Sequence, residues 1–224
     1  MVTDRELLRW SEAFAEAVEV THKPLGVSGI HRNKVFIGGS RKVSRLNPEV
    51  KNRIDRIIKN RLPVLIGDAN GADKAVQHYL RSRNYDRVEV FCVEGFCRNN
   101  AGNWPLRAVR STTEKKDYSF YEAKDIIMAD EASAGFMIWD GKSLGTLMNI
   151  FRLLSRQKQA VLYAVPMKEF SNLKSMADWE NLLVRLEDGL RQQIEKRSIG
   201  DESSLQTSRQ GNLFPINRLP GHTA

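Results

Sequence analysis

Three glycine-rich turns, each directly after an apolar run, are the segments of this chain best suited to bind an anion. The first is Gly38-Gly39-Ser40-Arg41 and the second is Gly67-Asp68-Ala69-Asn70-Gly71-Ala72-Asp73. The third is Trp139-Asp140-Gly141-Lys142-Ser143-Leu144-Gly145-Thr146. The second and third turns each open a helical pattern, and the first amides of a helix lack internal partners and carry partial positive charge. The turns therefore predict a site for phosphate or carboxylate groups.

The side chains of these turns are suited to a phosphate. Arg41 offers a two-pronged set of donors, and hydroxyl groups come from the serines and from Thr146. Asp73 is different, because a carboxylate repels phosphate, and it is predicted either to hold a ribose hydroxyl or to fix its loop. The predicted ligand-binding residues are Gly38, Gly39, Ser40, Arg41, Gly67, Gly71, Asp73, Asp140, Gly141, Lys142, Ser143, Gly145 and Thr146.

No catalytic residue can be assigned, and the candidates are carboxylates near the ends of predicted strands. These candidates are Asp140, Glu94 and Glu122. Asp140 is predicted to contact the ligand or to fix its turn, whereas helix capping or a surface ion pair suits Glu122 better. The four histidines have no metal-ligand spacing, so no metal site is predicted.

The segment from Glu94 to Tyr118 is long for a connection between elements and mixes aromatic with basic residues. Arg98, Trp104 and Arg107, together with Lys124 further along the chain, could contact a base or the backbone of a nucleic acid, by stacking and by charge. The alternative is a mobile basic loop with Trp104 buried as its anchor.

Apolar runs and helical patterns alternate along the chain, which indicates a parallel sheet covered by helices. The fold class predicted is a Rossmann-like three-layer α/β/α domain with a mostly parallel five-stranded sheet in the order 3-2-1-4-5, plus N- and C-terminal helices. In that order the turns at Gly38 and Asp140 face each other where the strand order reverses, and the turn at Gly67 flanks them. The predicted strands are 34–38, 63–67, 87–93, 134–139 and 160–165, and the predicted helices are 47–60, 72–83, 119–130 and 144–156.

The segments along the chain predict an N-terminal helix and connector over 1–32, the Rossmann-like domain over 33–166, a C-terminal helix over 167–197 and a disordered tail over 198–224. An apolar stripe along 172–197 predicts packing on the domain or on a dimer partner, and a homo-oligomer is expected.

The net charge of +8 over 224 residues suits nucleic acid or a phosphorylated small molecule, although a merely soluble basic surface explains it as well. The two cysteines, Cys92 and Cys97, have no metal-ligand neighbours and are expected to be reduced thiols. No signal peptide or membrane-length apolar run is present, so a cytoplasmic protein without a membrane partner is expected.

Taken in order, these motifs resemble the SLOG superfamily, the Rossmann-like group that includes the Lonely Guy phosphoribohydrolases and DNA-processing protein A, and most of all its YspA-like branch. The resemblance covers residues 33 to 165. It implies a pocket for a nucleotide or nucleotide-derived ligand such as AMP, ADP-ribose or NAD, with no required cofactor. The Gly-Ser-Arg turn and the Gly-Thr helix start would hold its phosphate, and Lys124 would replace an arginine of that branch.

The chain departs from the Lonely Guy enzymes at Asn149, where their motif has the glutamate needed for N-glycosidic cleavage. An amide cannot act as a general base. The resemblance therefore implies a nucleotide-ligand sensor or nucleotide-processing protein of bacterial signalling or conflict. The alternatives are a nucleoside monophosphate phosphoribohydrolase and a single-stranded DNA-binding protein resembling DNA-processing protein A.

Overall fold

A computed structural model describes residues 33–94, 96–111 and 118–198 of the chain. The predicted N-terminal helix and nearly all of the predicted tail lie outside the described residues. The described strands are β1 Val35–Gly39, β2 Val64–Gly67, β3 Val88–Val93, β4 Leu106–Val109, β5 Ala134–Trp139, β6 Gln159–Ala164 and β7 Glu169–Leu173. The described helices are α1 Pro48–Lys59, α2 Ala72–Ser82, α3 Tyr118–Glu131, α4 Leu144–Ser155, α5 Met176–Val184 and α6 at 188–198.

The strands form one mixed sheet in the order β4-β3-β2-β1-β5-β6-β7. All neighbouring pairs are parallel except β6 and β7, which are antiparallel. The five strands predicted from the sequence are the central five and have the predicted order. The strands β2, β3 and β4 lie on one side of β1, and β5, β6 and β7 lie on the other. The strand order therefore reverses between β1 and β5, and the connections that follow these two strands lead in opposite directions.

The sheet is buried on both faces because its central strands are almost wholly apolar. Phe36, Leu65 and Phe91 belong to a cluster with side chains of α3, α4 and α5. Ile37 and Ile66 alternate with them and therefore point to the other face, where α2 contacts β1 and β2. Continuous apolar strands of this kind are typical of a parallel sheet between helices.

The prediction of five strands is wrong, because the sheet has seven in the described residues. The two additional strands are edge strands with little apolar alternation. Three of the four residues of β4 are exposed, and β7 contains only one buried residue, Leu173. An edge strand pairs through its backbone, so its side-chain pattern carries a weak signal.

The C-terminal part also differs from the single helix predicted over 172–197. Ser175 and Asp178 form a capping box, in which the Ser175 hydroxyl accepts from the amide of Asp178 and the Asp178 carboxylate accepts from the amide of Ser175. This box begins α5, and the chain leaves helical geometry at 185–187 before α6. The apolar stripe faces the domain, since Trp179 and Ile194 belong to the main core cluster.

Candidate functional site

The Ser40 hydroxyl, at the end of β1, joins the first glycine turn to the third. It donates to Oδ1 of Asp140 at 3.1 Å and accepts from the amide of Asp140 at 3.0 Å. It also lies 3.1 Å from the Thr146 hydroxyl, which donates to it because the serine proton is already used. Ser40 and Thr146 are both buried. The two turns thus meet where the strand order reverses, and these three polar side chains hold the turns together.

The carboxylate of Asp140 organises the third turn. Its Oδ1 accepts from the amides of Lys142 at 3.0 Å and Ser143 at 2.7 Å, and its Oδ2 accepts from the Ser143 hydroxyl at 3.2 Å. Burial acts to raise the pKa of Asp140, but these bonds and the one from Ser40 hold it below its usual value. The sequence predicts that Asp140 either contacts the ligand or fixes its turn, and these hydrogen bonds show that it fixes the turn.

The helix α4 begins directly after this hydrogen-bonded turn. Ser143 is the N-cap residue of α4, but its side chain makes no capping bond to the helix. Gly145 and Thr146 follow in the first helical turn, and Gly141 has a φ of +85°. Lys142 is exposed. The amides at the start of α4 therefore have no side-chain cap, and the exposed cation of Lys142 lies just before them in the chain.

The second turn packs closely on the first. Gly71 has a φ of +84°, and a Cβ there would lie 2.2 Å from the carbonyl oxygen of Arg41. A Cβ on Gly67 would lie 2.5 Å from both Asp73 Oδ2 and Lys124 Nζ. Gly38 and Gly39 end β1. These glycines thus allow close backbone packing, and Gly67 also leaves room for two charged side chains.

Asp68 and Arg98 form a two-pronged ion pair at the end of β2. The guanidinium donates from Nη2 to Oδ1 at 2.6 Å and from Nε to Oδ2 at 3.0 Å, and the Arg98 amide donates to Oδ2 at 3.1 Å. Burial acts to raise the pKa of Asp68, but the bonds from Arg98 hold it below its usual value. Arg98 is therefore fixed in orientation as well as in charge.

Tyr121, on α3, lies against two guanidinium groups. The Cζ of Arg98 is 4.6 Å from the centre of its ring and the Cζ of Arg41 is 5.4 Å away. Arg98 is held by Asp68, whereas Arg41 is exposed and has no ion pair among the described residues. We call Arg41, Tyr121 and Arg98 the arginine–tyrosine cluster. It combines an aromatic ring with one fixed and one available cation.

Buried charges lie beneath this cluster. Lys124 donates to Oδ1 of Asp125 at 2.6 Å, and Asp73 accepts from the amide of Ala69 at 3.2 Å. Burial raises the pKa of Asp73 to about 6, although the charge of Lys124 opposes the rise. Burial acts to lower the pKa of Lys124, but Asp125 and Asp73 keep it above its usual value. Both predicted residues, Lys124 and Asp73, are thus interior groups that hold the second turn and α3.

Asn149 belongs to the same interior network. Its amide nitrogen donates to Oδ2 of Asp125 at 3.3 Å, and its oxygen accepts from Nη1 of Arg152 at 3.0 Å. Arg152 is almost fully buried and also pairs with Glu122 at 2.5 Å. Glu122 therefore pairs with a buried arginine rather than forming the predicted surface ion pair, and Asn149 joins α4 to α3.

The other predicted residues lie elsewhere. Trp104 is 8% exposed and its indole N–H donates to the carbonyl of Tyr85 at 2.9 Å, which makes it an anchor. Arg107 pairs with Glu131, which also binds Lys34 just before β1. Glu94 is exposed and pairs with Arg110. None of these three contacts the arginine–tyrosine cluster in the described structure.

Two residues of the site were not singled out from the sequence. Tyr121 lies in a helix whose pattern shows no polar face, and Asp68 stands among small residues of a turn. The signal for Asp68 was its position directly after a buried strand, the same position as Asp140 has after β5. In the described parts of the chain, no group of three or more His, Cys, Asp or Glu side chains could hold a metal ion.

The fold and the site define an α/β protein with a mostly parallel sheet and a basic, aromatic cluster at the carboxyl edge of that sheet. No family model matches the chain, and no curated protein matches it in sequence. Among solved structures, it is similar to DNA processing protein A from Helicobacter pylori, a structure described for its single-stranded DNA binding mode. The identity is 16%, the TM-score is 0.46, and the match covers 81% of this chain and 91% of that chain. A likeness at this level does not define a function.

Within the described residues, no helix has the length and apolar character needed to cross a membrane.

Proposed function

We propose that the carboxyl edge of the sheet binds a nucleotide-type ligand, with the arginine–tyrosine cluster as its central contact. The observation that carries the proposal is the placement of Arg41 and Arg98 against Tyr121 beside the reversal of strand order. A base can stack on an aromatic ring, and a phosphate is bound by guanidinium groups. Ligands of open α/β sheets bind in the crevice at this reversal.

The charge balance of the site favours an anionic ligand. Arg98 is neutralised by Asp68, and Lys124 is neutralised by Asp125. Arg41 and Lys142 are exposed and make no ion pair among the described residues. The available charge at this edge is therefore positive, and it lies next to the start of α4, whose first amides add partial positive charge.

The interior network favours binding over cleavage of the ligand. Asn149 carries no charge and already contacts Asp125 and Arg152. The nearby carboxylates are also engaged, Asp125 with Lys124 and Glu122 with Arg152. Both of these carboxylates already bind a cation of the protein, and the amide of Asn149 cannot act as a general base.

Calorimetric titration with AMP, ADP-ribose and NAD tests this proposal. We expect Arg41→Ala to weaken binding by about 10- to 150-fold, because a charge-assisted hydrogen bond contributes ~1.5–3 kcal/mol. Arg81→Ala is the matched control, since Arg81 is an exposed arginine in the last turn of α2. Binding that is absent for all three ligands, or equally weakened by both substitutions, would contradict the proposal.

Tyr121 provides a second comparison. Tyr121→Phe keeps the ring and is expected to bind within about twofold of the unchanged chain, whereas Tyr121→Ala removes the stacking surface and weakens binding by about 1–3 kcal/mol. Equal affinities for the phenylalanine and alanine variants would show that the ring does not contact the ligand.

A single-stranded oligonucleotide is the second candidate ligand, and a specific observation favours it. Lys42 and Arg45 are exposed on the same connection as Arg41, so the positive charge extends beyond the space of one phosphate. A fluorescent oligothymidylate is expected to bind with an affinity that falls steeply with salt, by a slope of about −0.7 per phosphate contacted. If the fluorescence of the oligothymidylate does not respond to added protein at low salt, this candidate is excluded and the mononucleotide proposal is left intact.

A further inference from the structure

Cys92 and Cys97 flank the single antiparallel bridge of a short hairpin at the end of β3. Val93 and Phe96 form an antiparallel bridge, and the amide of Phe96 donates to the carbonyl of Val93 at 3.3 Å. The next residue on each side is a cysteine. In an antiparallel ladder, the pair next to a hydrogen-bonded pair is non-hydrogen-bonded, with Cα atoms about 4.5 Å apart and side chains close together. This spacing is within the range that a disulfide spans.

Neither cysteine is in a disulfide, and burial raises the pKa of both thiols. Cys92 is buried, whereas Cys97 is partly exposed and donates its S–H to the carbonyl of Asn99 at 3.4 Å. One thiol is therefore accessible to a small reagent, and the other lies beside it in the interior.

We propose that Cys92 and Cys97 form a reversible disulfide and are a redox modification site for low-molecular-weight disulfides. The Cys97 thiolate attacks a sulfur of oxidised glutathione, which forms a mixed disulfide and releases one glutathione thiolate. The Cys92 thiolate then attacks the Cys97 sulfur and releases the second glutathione. Two protein thiols lose their protons and two electrons, and one oxidised glutathione becomes two reduced molecules.

The disulfide would constrain the segment that carries Arg98. Cys97 directly precedes Arg98, whose amide and guanidinium both bind Asp68. Joining Cys97 to β3 fixes the chain one residue before these contacts. The oxidised hairpin is therefore expected to open less often, so that the amide of Arg98 is better protected. This inference does not depend on any ligand.

The reaction is expected to be slow at neutral pH. Burial, followed by the influence of Cys92 and Asp68, raises the pKa of Cys97 to about 11. Only the thiolate attacks a disulfide, and its fraction rises about tenfold per pH unit below that pKa. Oxidation by glutathione should therefore accelerate about tenfold between pH 7 and 8, and again between pH 8 and 9.

The test treats the full chain with oxidised glutathione at these three pH values and maps the products by mass spectrometry. We expect an intramolecular link between Cys92 and Cys97, with the loss of two hydrogen atoms. Cys92→Ser is expected to retain a glutathione adduct on Cys97, because the second thiol is missing. Cys97→Ser is expected to react far more slowly, because Cys92 is buried. A persistent adduct on the unchanged chain, or a link only between chains, would overturn the proposal.

Hydrogen exchange of the full chain measures whether the disulfide constrains the segment that carries Arg98. Exchange in the peptide containing Arg98 is expected to slow severalfold in the oxidised chain and to be unchanged by oxidant in Cys97→Ser. Equal or faster exchange after the disulfide has formed would contradict the expected protection of Arg98. The mapping of the disulfide and the ligand titrations are independent, so either proposal can fail alone.

Discussion

The substitution Asp73→Asn tests whether the buried carboxyl group of Asp73 opposes folding when it is ionised. Asp73 is 5% exposed and accepts an amide hydrogen bond from Ala69, while Lys124 donates to Asp125. Burial raises the pKa of Asp73 from 3.8 to about 6, with Lys124 opposing the rise. The folded chain therefore binds this proton more tightly than the unfolded chain. Asparagine has nearly the same shape and no charge to bury.

The size of the effect follows from the pKa. Each unit by which the pKa rises changes the free energy of unfolding by ~1.4 kcal/mol, so the rise from 3.8 to about 6 corresponds to about 3 kcal/mol. Below pH 3.8 the group is protonated in both states, and its contribution to stability is fully present. That contribution is lost as the pH rises through 6. The stability of Asp73→Asn relative to the unchanged chain should therefore increase by ~3 kcal/mol between about pH 4 and pH 7.

Urea unfolding of the unchanged chain and of Asp73→Asn, at several pH values between about 4 and 7, measures this difference in stability. Ionisable groups that the two proteins share contribute equally to both, so their effects cancel in the difference. Asp178→Asn is the control with the opposite sign, because the Lys174 amide and the Ser175 hydroxyl hold the pKa of Asp178 below its usual value. Asp178→Asn should lose stability relative to the unchanged chain as the pH rises through the acidic range. A difference for Asp73→Asn that is flat or falls with pH would refute the reasoning, since the carboxylate would then be stabilised by its neighbours.

Four further substitutions have expected outcomes. Gly71→Ala should lower stability by more than ~2 kcal/mol in thermal unfolding, because a positive φ and a backbone atom 2.2 Å from the added Cβ both oppose the side chain. Gly141→Ala also has a positive φ, but its added Cβ would lie 3.2 Å from the Pro166 side chain, so it should lower stability by only about 1 kcal/mol. Ser40→Ala should cost about 1–3 kcal/mol in urea unfolding, because it leaves buried partners without their hydrogen bonds. Neither the unchanged chain nor Asn149→Glu should release free base from nucleoside monophosphates in a chromatographic assay, since a carboxylate at 149 would face Asp125 in place of the amide. Equal losses for the two glycine variants, a neutral Ser40→Ala or measurable base release would each contradict the corresponding argument.

The central sheet could be predicted because its strands are continuous apolar runs separated by amphipathic helices. The reversal between β1 and β5 follows from that alternation, and the Ser40–Asp140 hydrogen bond shows the two turns meeting there. The edge strands could not be predicted in the same way. Leu106–Val109 has three exposed residues, and its pairing with β3 depends on backbone groups that every sequence has.

The positions of the three turns could be predicted from the sequence, but the roles of their polar side chains could not. Serine, threonine and aspartate after a strand are the same residue types whether they bind a phosphate or one another. Ser40, Asp140 and Thr146 bind one another, which only the distances reveal. Tyr121 escaped prediction because its importance comes from two arginines distant in sequence, Arg41 and Arg98.

The hydrogen bonds of Ser40 connect parts of the chain that are 100 residues apart, which has a consequence for how the domain folds. While the protein is synthesised, β1 can pair with β2 early, but its other edge stays open until β5 has been made. Closing so long a loop is slow, and an open central strand can pair with another chain. A fragment that ends before residue 134 should therefore aggregate, and the crevice should form only as β5 docks on β1.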